Sequence, residues 1–158
     1  MLTRMRQKLE KELQSLEKEY RQELPKEIHR ALQMGDLREN AEYKAALERQ
    51  QFVQARMAQV QSRLRNLLMI DPASLPKDKV ALGSTVSLYD AEADKTVVYE
   101  LVIPEEADLS KGLVSVTSPI GKALLGHKEG DEVKITIPAG TRMYEIVKLL
   151  TLHDKGDE

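Results

Sequence analysis

The sequence predicts an α+β protein: an N-terminal antiparallel α-helical hairpin followed by a mostly antiparallel β domain with one short helix. Three observations carry this. Apolar residues recur at steps of three and four over two long stretches, residues 2–32 and 43–67, with a glycine-bearing break between them. A proline-rich segment, Asp71-Pro72-Ala73-Ser74-Leu75-Pro76-Lys77-Asp78, then ends the helical pattern. Beyond it the pattern alternates with the period of strands. The domain boundaries read as 1–74 for the helical arm and 75–158 for the β domain.

In the first segment Leu2, Met5, Leu9, Leu13, Leu16, Tyr20, Leu24, Ile28 and Leu32 mark one helical face. Their mean step of about 3.75 exceeds the heptad value of 3.5 and predicts a pairing straighter than a tightly wound left-handed coil. Pro25 falls inside the pattern, where it removes a backbone hydrogen bond and bends the helix. Gly35 is the expected stop. In the second segment Tyr43, Ala46, Gln50, Val53, Met57, Val60, Leu64 and Leu67 alternate steps of three and four, with Gln50 the one polar member. A short connection between two such helices makes an antiparallel hairpin, and helices of roughly 30 residues reach about 45 Å. The expected strands are 85–89, 96–103, 113–116, 132–137 and 143–149. Ser118-Pro119-Ile120 through Gly126 reads as a short helix in which Ser caps, Pro takes the first position and Gly ends it. The tail from His153 reads as polar and loose.

Composition narrows the function classes. The 158 residues include no Cys, which excludes a disulfide framework or a thiolate zinc site. Aromatics make up 4% and charged residues 32%, which suits a long solvated helix better than the core of a compact enzyme. No apolar run approaches the roughly 20 residues that span a bilayer, so the expectation is a cytoplasmic protein without membrane contact. The net charge of −2 conceals an asymmetry. Through Ser74 there are 14 Lys/Arg against 11 Asp/Glu, and the remainder is 10 against 15. The excess concentrates after the break, where Arg49, Arg56, Arg63 and Arg65 occur and no acid lies between Glu48 and Asp71.

No Ser/His/acid set, glycine-rich phosphate loop or metal-spaced histidine cluster is present; His29, His127 and His153 are scattered and read as surface residues. The chemistry-bearing stretch is Gly35-Asp36-Leu37-Arg38-Glu39-Asn40-Ala41-Glu42-Tyr43, at the far end of the hairpin. Asp36 and Glu39, three residues apart, admit two readings. One is a capping box at the start of the second helix, which composition and spacing alone favour. The other is a pair of oxygen ligands for a hard cation such as magnesium, which commonly takes one or two protein carboxylates and completes its shell from substrate and water. Tyr43 lies on the apolar seam, and packing is its expected role.

These nine residues resemble the tip of the GreA/GreB transcript cleavage factors, whose pattern is close to Gly-Asp-Leu-Lys-Glu-Asn-Ala-Glu-Tyr. Ala45-Ala46, Phe52 and Arg56 resemble the family's second helix. Ser118-Pro119-Ile120, with Leu124 and Gly126, is similar to its Ser-Pro-Ile-Ala segment, Gly121 replacing Ala. The resemblance implies a coiled-coil arm and an FKBP-like C-terminal domain that grips the rim of the RNA polymerase secondary channel. It implies that Asp36 and Glu39 are the catalytic residues, holding a magnesium ion (Mg2+) jointly with the polymerase, which itself cleaves backtracked RNA; the chain is then not an enzyme and binds no cofactor stably alone. The implied partners are RNA polymerase and the 3′ end of backtracked RNA, with DNA binding as a further family property, and the protein is expected to be a monomer. Thr117, Ser118 and Pro119 are the implied polymerase contacts, with Thr117 where the family often has Asp or Asn. For Ser118-Pro119, an ordinary helix start is the competing reading.

Arg49, Arg56 and Arg63 recur every seven residues as a stripe beside the seam, near the RNA in this reading. The competing reading pairs them with Glu residues of the first helix, each pair contributing little. A non-cleaving regulator of the same channel and a coiled-coil adaptor remain open as functions. Prolyl isomerase activity is disfavoured, since Tyr89, Tyr99 and Tyr144 stand in the β domain without Phe or Trp to line a proline pocket.

Overall fold

The structure is a computed structural model and describes residues 2–36 and 40–155. The chain forms two compact units, Arg6–Met69 and Met1–Met5 with Ile70–Glu158.

The hairpin is built from α1 (Leu2–Lys18), a π-helical turn (Glu19–Glu23), α2 (Leu24–Leu32) and α3 (Ala41–Leu68). The π turn is the local answer to Pro25. Proline has no N–H to donate to the carbonyl four residues back, and its ring crowds that carbonyl, so the helix widens by one residue ahead of it. The Leu24 N–H accordingly donates to Glu19 O, five residues back. The extra residue rotates the apolar face. Leu9, Leu16 and Leu24 are buried as expected, but beyond Pro25 the buried position is Ala31, and Leu32, expected on the seam, is 40% exposed. In α3 the buried residues are Ala46, Val53, Val60 and Leu67, a strict seven-residue repeat. Tyr43, Gln50, Met57 and Leu64 are half-buried between them.

Ion pairs from Arg49 to Glu19 and from Arg56 to Glu12 fix the antiparallel register. Seven residues forward in α3 match seven back in the first helix.

The second unit holds a five-stranded sheet in the order β3-β2-β1-β5-β4. The strands are β1 (Thr85–Asp90), β2 (Lys95–Val102), β3 (Leu113–Ser115), β4 (Glu132–Ile137) and β5 (Gly140–Leu150). All neighbours are antiparallel except β2 and β3. Two 3₁₀ turns, Pro104–Glu106 and Leu109–Lys111, bring the chain from β2 back to start β3 alongside it, ending at Gly112. Gly112 takes φ +74°, and a Cβ there would stand 2.8 Å from Val98 O, so the return is tight enough to need glycine.

A short helix, α4 (Pro119–Leu124), packs Leu124 into a core of Val80, Val86, Leu88, Leu101, Val133, Ile135, Ile146 and Leu149. Ile146 and Leu149 both point inward because the β1–β5 register shifts between Ser87 and Leu88, leaving Val147 bulged and 42% exposed.

At the start of α1, Arg4 donates to Glu106, which is buried, and to Glu100. The tail differs from expectation as far as Lys155. Leu152–Lys155 forms a helical turn, α5, capped by Asp154 accepting from Thr151 N–H. His153 Nε2 lies 2.9 Å from Leu75 O and Lys155 Nζ donates to Gly83 O. These bonds tie the turn down where polarity alone suggested a loose end.

Candidate functional site

At the end of the hairpin, α2 gives out after Leu32, and the Met34 N–H closes a last tight turn onto Ala31 O at 3.1 Å. Gly35 follows with φ +128°, where a side chain would be strained and where nothing lies within 4 Å of a would-be Cβ. Asp36 comes next and is exposed. Glu39, the other expected carboxylate, lies outside the described residues, as do Leu37 and Arg38.

The helix start is not where the capping-box reading put it. The N-cap of α3 is Asn40, whose Oδ1 accepts from Tyr43 N–H at 3.0 Å. Its backbone carbonyl accepts from Lys44 N–H at 3.1 Å, the first bond of the helix. The N-cap position of α3 is therefore Asn40 rather than Asp36. The same Asn40 side chain donates through Nδ2 to Ala31 O, across the hairpin. Sequence reasoning missed Asn40, although Asn ranks with the best N-cap residues and stands directly before the first regular turn.

Along the arm, Arg49 donates through Nε and Nη2 to both carboxylate oxygens of Glu19, at 2.6 and 2.8 Å. This fork holds the Glu19 carboxyl below its ordinary range and raises the guanidinium in turn. The Arg49 guanidinium also sits 5.0 Å from the ring centre of Phe52, which is 56% exposed. Arg56 makes the same two-point contact with Glu12, at 2.7 and 3.1 Å. The pairing with first-helix glutamates is thus what Arg49 and Arg56 do. Arg63 is half-buried beside the seam.

In the sheet unit, Ser118 is the N-cap of α4. Its Oγ accepts from Gly121 N–H at 3.0 Å and donates to Ser115 O at 2.6 Å. Both hydroxyl functions are engaged, so Ser118 acts locally as a helix start. Thr117 and Pro119 are exposed on either side of it. Ser118, Pro119 and Ile120 form one wall of an apolar cleft of about 350 Å³, with Leu109 and Leu113 from the β2–β3 return and Ile137 and Pro138 from the β4 end. Gly121 lies so close under this wall that a Cβ would stand 2.0 Å from Ser115 O.

The two halves of the chain match two family models. One, described as "Transcription elongation factor, N-terminal", covers residues 1–68, and the other, "Transcription elongation factor, GreA/GreB, C-term", covers residues 75–151. The chain belongs to the GreA/GreB family. Among curated relatives, the transcription elongation factor GreA of Helicobacter hepaticus is 48% identical over 143 residues, covering 90% of this chain and 88% of the relative. That of Trichlorobacter lovleyi is 44% identical over 141 residues, 89% of each chain. The crystal structure of GreA factor homolog 1 of Thermus thermophilus aligns over 94% of each chain at 28% identity and a TM-score of 0.43, too low to bear on the fold.

Among the described residues there is no group of three or more His, Cys, Asp or Glu that could hold a metal ion. Asp36 offers hard carboxylate oxygens of the kind magnesium takes, but one or two carboxylates leave most of an octahedral shell to be supplied from elsewhere. The residues fit a partial site and no more.

Proposed function

We propose that this chain, a transcription elongation factor by family, binds RNA polymerase and stimulates the polymerase's own cleavage of backtracked RNA, without being an enzyme itself. The observation that carries the reading is the exposed Asp36 at the turn of a hairpin whose longer helix alone extends about 42 Å. An arm of that length reaches through the secondary channel toward a buried active centre, and Asp36 with Glu39 supplies the carboxylates that complete a magnesium site there. Asp36 and Glu39 would hold such an ion jointly with the polymerase, and the chemistry it would supply there is Lewis-acid activation of phosphate and water. The chain's own part is placement. Two packed helices hold the turn, and the pairs of Arg49 and Arg56 brace them.

Thr117, Ser118 and Pro119 present the contact surface for the polymerase, beside the apolar cleft. Arg49, Arg56 and Arg63 lie along the arm toward the RNA 3′ end. For Arg49 and Arg56, phosphates have to compete with Glu19 and Glu12. The protein acts as a cytoplasmic monomer in this reading. Among the described residues no helix is long and apolar enough to cross a membrane.

The test uses stalled, backtracked elongation complexes carrying labelled RNA. Wild type should release a 3′ fragment, the protein with RNA alone should release none, and Asp36→Ala or Glu39→Ala should slow release by about tenfold or more without loss of binding. Binding that blocks elongation with no fragment would replace this reading with a non-cleaving channel regulator. Absence of binding to polymerase would leave an adaptor.

A further inference from the structure

We propose that Asn40 is a positioning residue of the tip, latching the end of α2 to the start of α3 so that the turn bearing Asp36 is held at a fixed span; this rests on the cleavage-stimulating function proposed above. The amide makes two bonds of opposite sense. Oδ1 accepts from Tyr43 N–H within its own helix, and Nδ2 donates to Ala31 O on the opposing one. Because one partner is a donor and the other an acceptor, only one orientation of the amide satisfies both.

Ala31 O is among the last carbonyls of α2, which have no partner further along the helix, and it already accepts from Met34 N–H. Asn40 closes a ring of chain that contains Asp36. A carboxylate placed to share a metal loses effect when its position is spread over an ångström, so a clamp on both ends of its turn bears directly on the shared site.

Capping and latching are separable by substitution. Asn40→Asp keeps an acceptor for Tyr43 N–H but sets a second oxygen against Ala31 O. Asn40→Ser also caps, adds no charge, and is too short to cross the hairpin. If only the cap matters, both variants behave as wild type. If the latch matters, both fail together.

The experiment reads two quantities. In the free proteins, hydrogen exchange of peptides spanning residues 30–44 should quicken about fivefold in both variants, the range expected for one lost hydrogen bond, with far-ultraviolet circular dichroism unchanged. In backtracked elongation complexes at saturating factor, cleavage should slow about fivefold to tenfold and half-saturation in magnesium should rise. The factor concentration for half-maximal effect should stay within twofold. That split separates positioning from a general loss of folding or binding.

Unchanged exchange overturns the latch. Faster exchange with unchanged cleavage overturns its role in positioning. A wild type that promotes no cleavage refutes the proposed function instead, and exchange alone then decides the latch: faster rates uphold it and unchanged rates overturn it.

Discussion

Substituting Gly121 by alanine should destabilise the sheet unit by an amount that can be worked from the geometry beneath α4. The added Cβ would stand 2.0 Å from Ser115 O, and 3.0 Å from both Ser115 C and Val116 Cα. All three are backbone atoms, so no side chain can swing aside. An ordinary C···O approach is about 3.3 Å, so α4 and β3 must separate by roughly 1.3 Å. Overpacking of this kind costs about 1–3 kcal/mol.

The same displacement pulls on bonds that converge there: Gly121 N–H to Ser118 Oγ at 3.0 Å, and Ser118 Oγ and N–H to Ser115 O at 2.6 and 3.1 Å. Losing one adds about 0.5–1.5 kcal/mol. Against this, alanine favours a helix over glycine by about 1 kcal/mol. The net expectation is about 0.5–3.5 kcal/mol. Urea unfolding followed through tyrosine emission measures it, since Tyr89, Tyr99 and Tyr144 report on this unit and the chain has no Trp. The double variant Ser118→Ala/Gly121→Ala should fall short of additivity, because both changes act on one contact. A loss below about 0.5 kcal/mol for Gly121→Ala would refute the reasoning, showing that the strand and helix separate freely.

Two further predictions concern buried charge. Arg4→Ala strands the buried Glu106 carboxylate and should cost about 1–3 kcal/mol near neutral pH, whereas Glu106→Gln, which keeps an acceptor and removes the charge, should cost less; urea unfolding that ranks the two the other way would contradict this. For Asp90, burial opposes ionisation, but the bond from Arg142 and the backbone N–H groups of Ala93 and Glu92 outweigh it and lower its pKa. Its stabilising effect is therefore complete above the unfolded-state value of about 4 and is lost as pH falls through the lower folded value. Wild type should exceed Asp90→Asn in thermal stability at pH 6, and the gap should close on acidification below pH 4; a gap independent of pH would be the contrary result.

Where the residues themselves carry a period, the fold was legible. The seven-residue spacing of Ala46, Val53, Val60 and Leu67 emerges as the buried line of α3, because nothing in that helix interrupts the turn. Legibility failed where one residue was inserted into a regular pattern. The π turn before Pro25 moves the seam from Leu32 to Ala31, and the bulge at Val147 puts Ile146 and Leu149 on the same face although strict alternation would separate them. In each case a local backbone event overrides periodicity: a missing N–H in the first, an extra unpaired residue in the second. The tail from His153 to Lys155 shows the reverse. Its order comes from bonds to Leu75 and Gly83, distant in sequence, which no local pattern announces.

At the tip, the spacing of Asp36 and Glu39 suggests a capping box, but the observed helix begins later. Capping demand belongs to the first residues whose backbone turns helical, and that boundary falls at Ala41, so the demand lands on Asn40. The same side chain also reaches Ala31 O, so one residue both starts α3 and ties it to the end of α2.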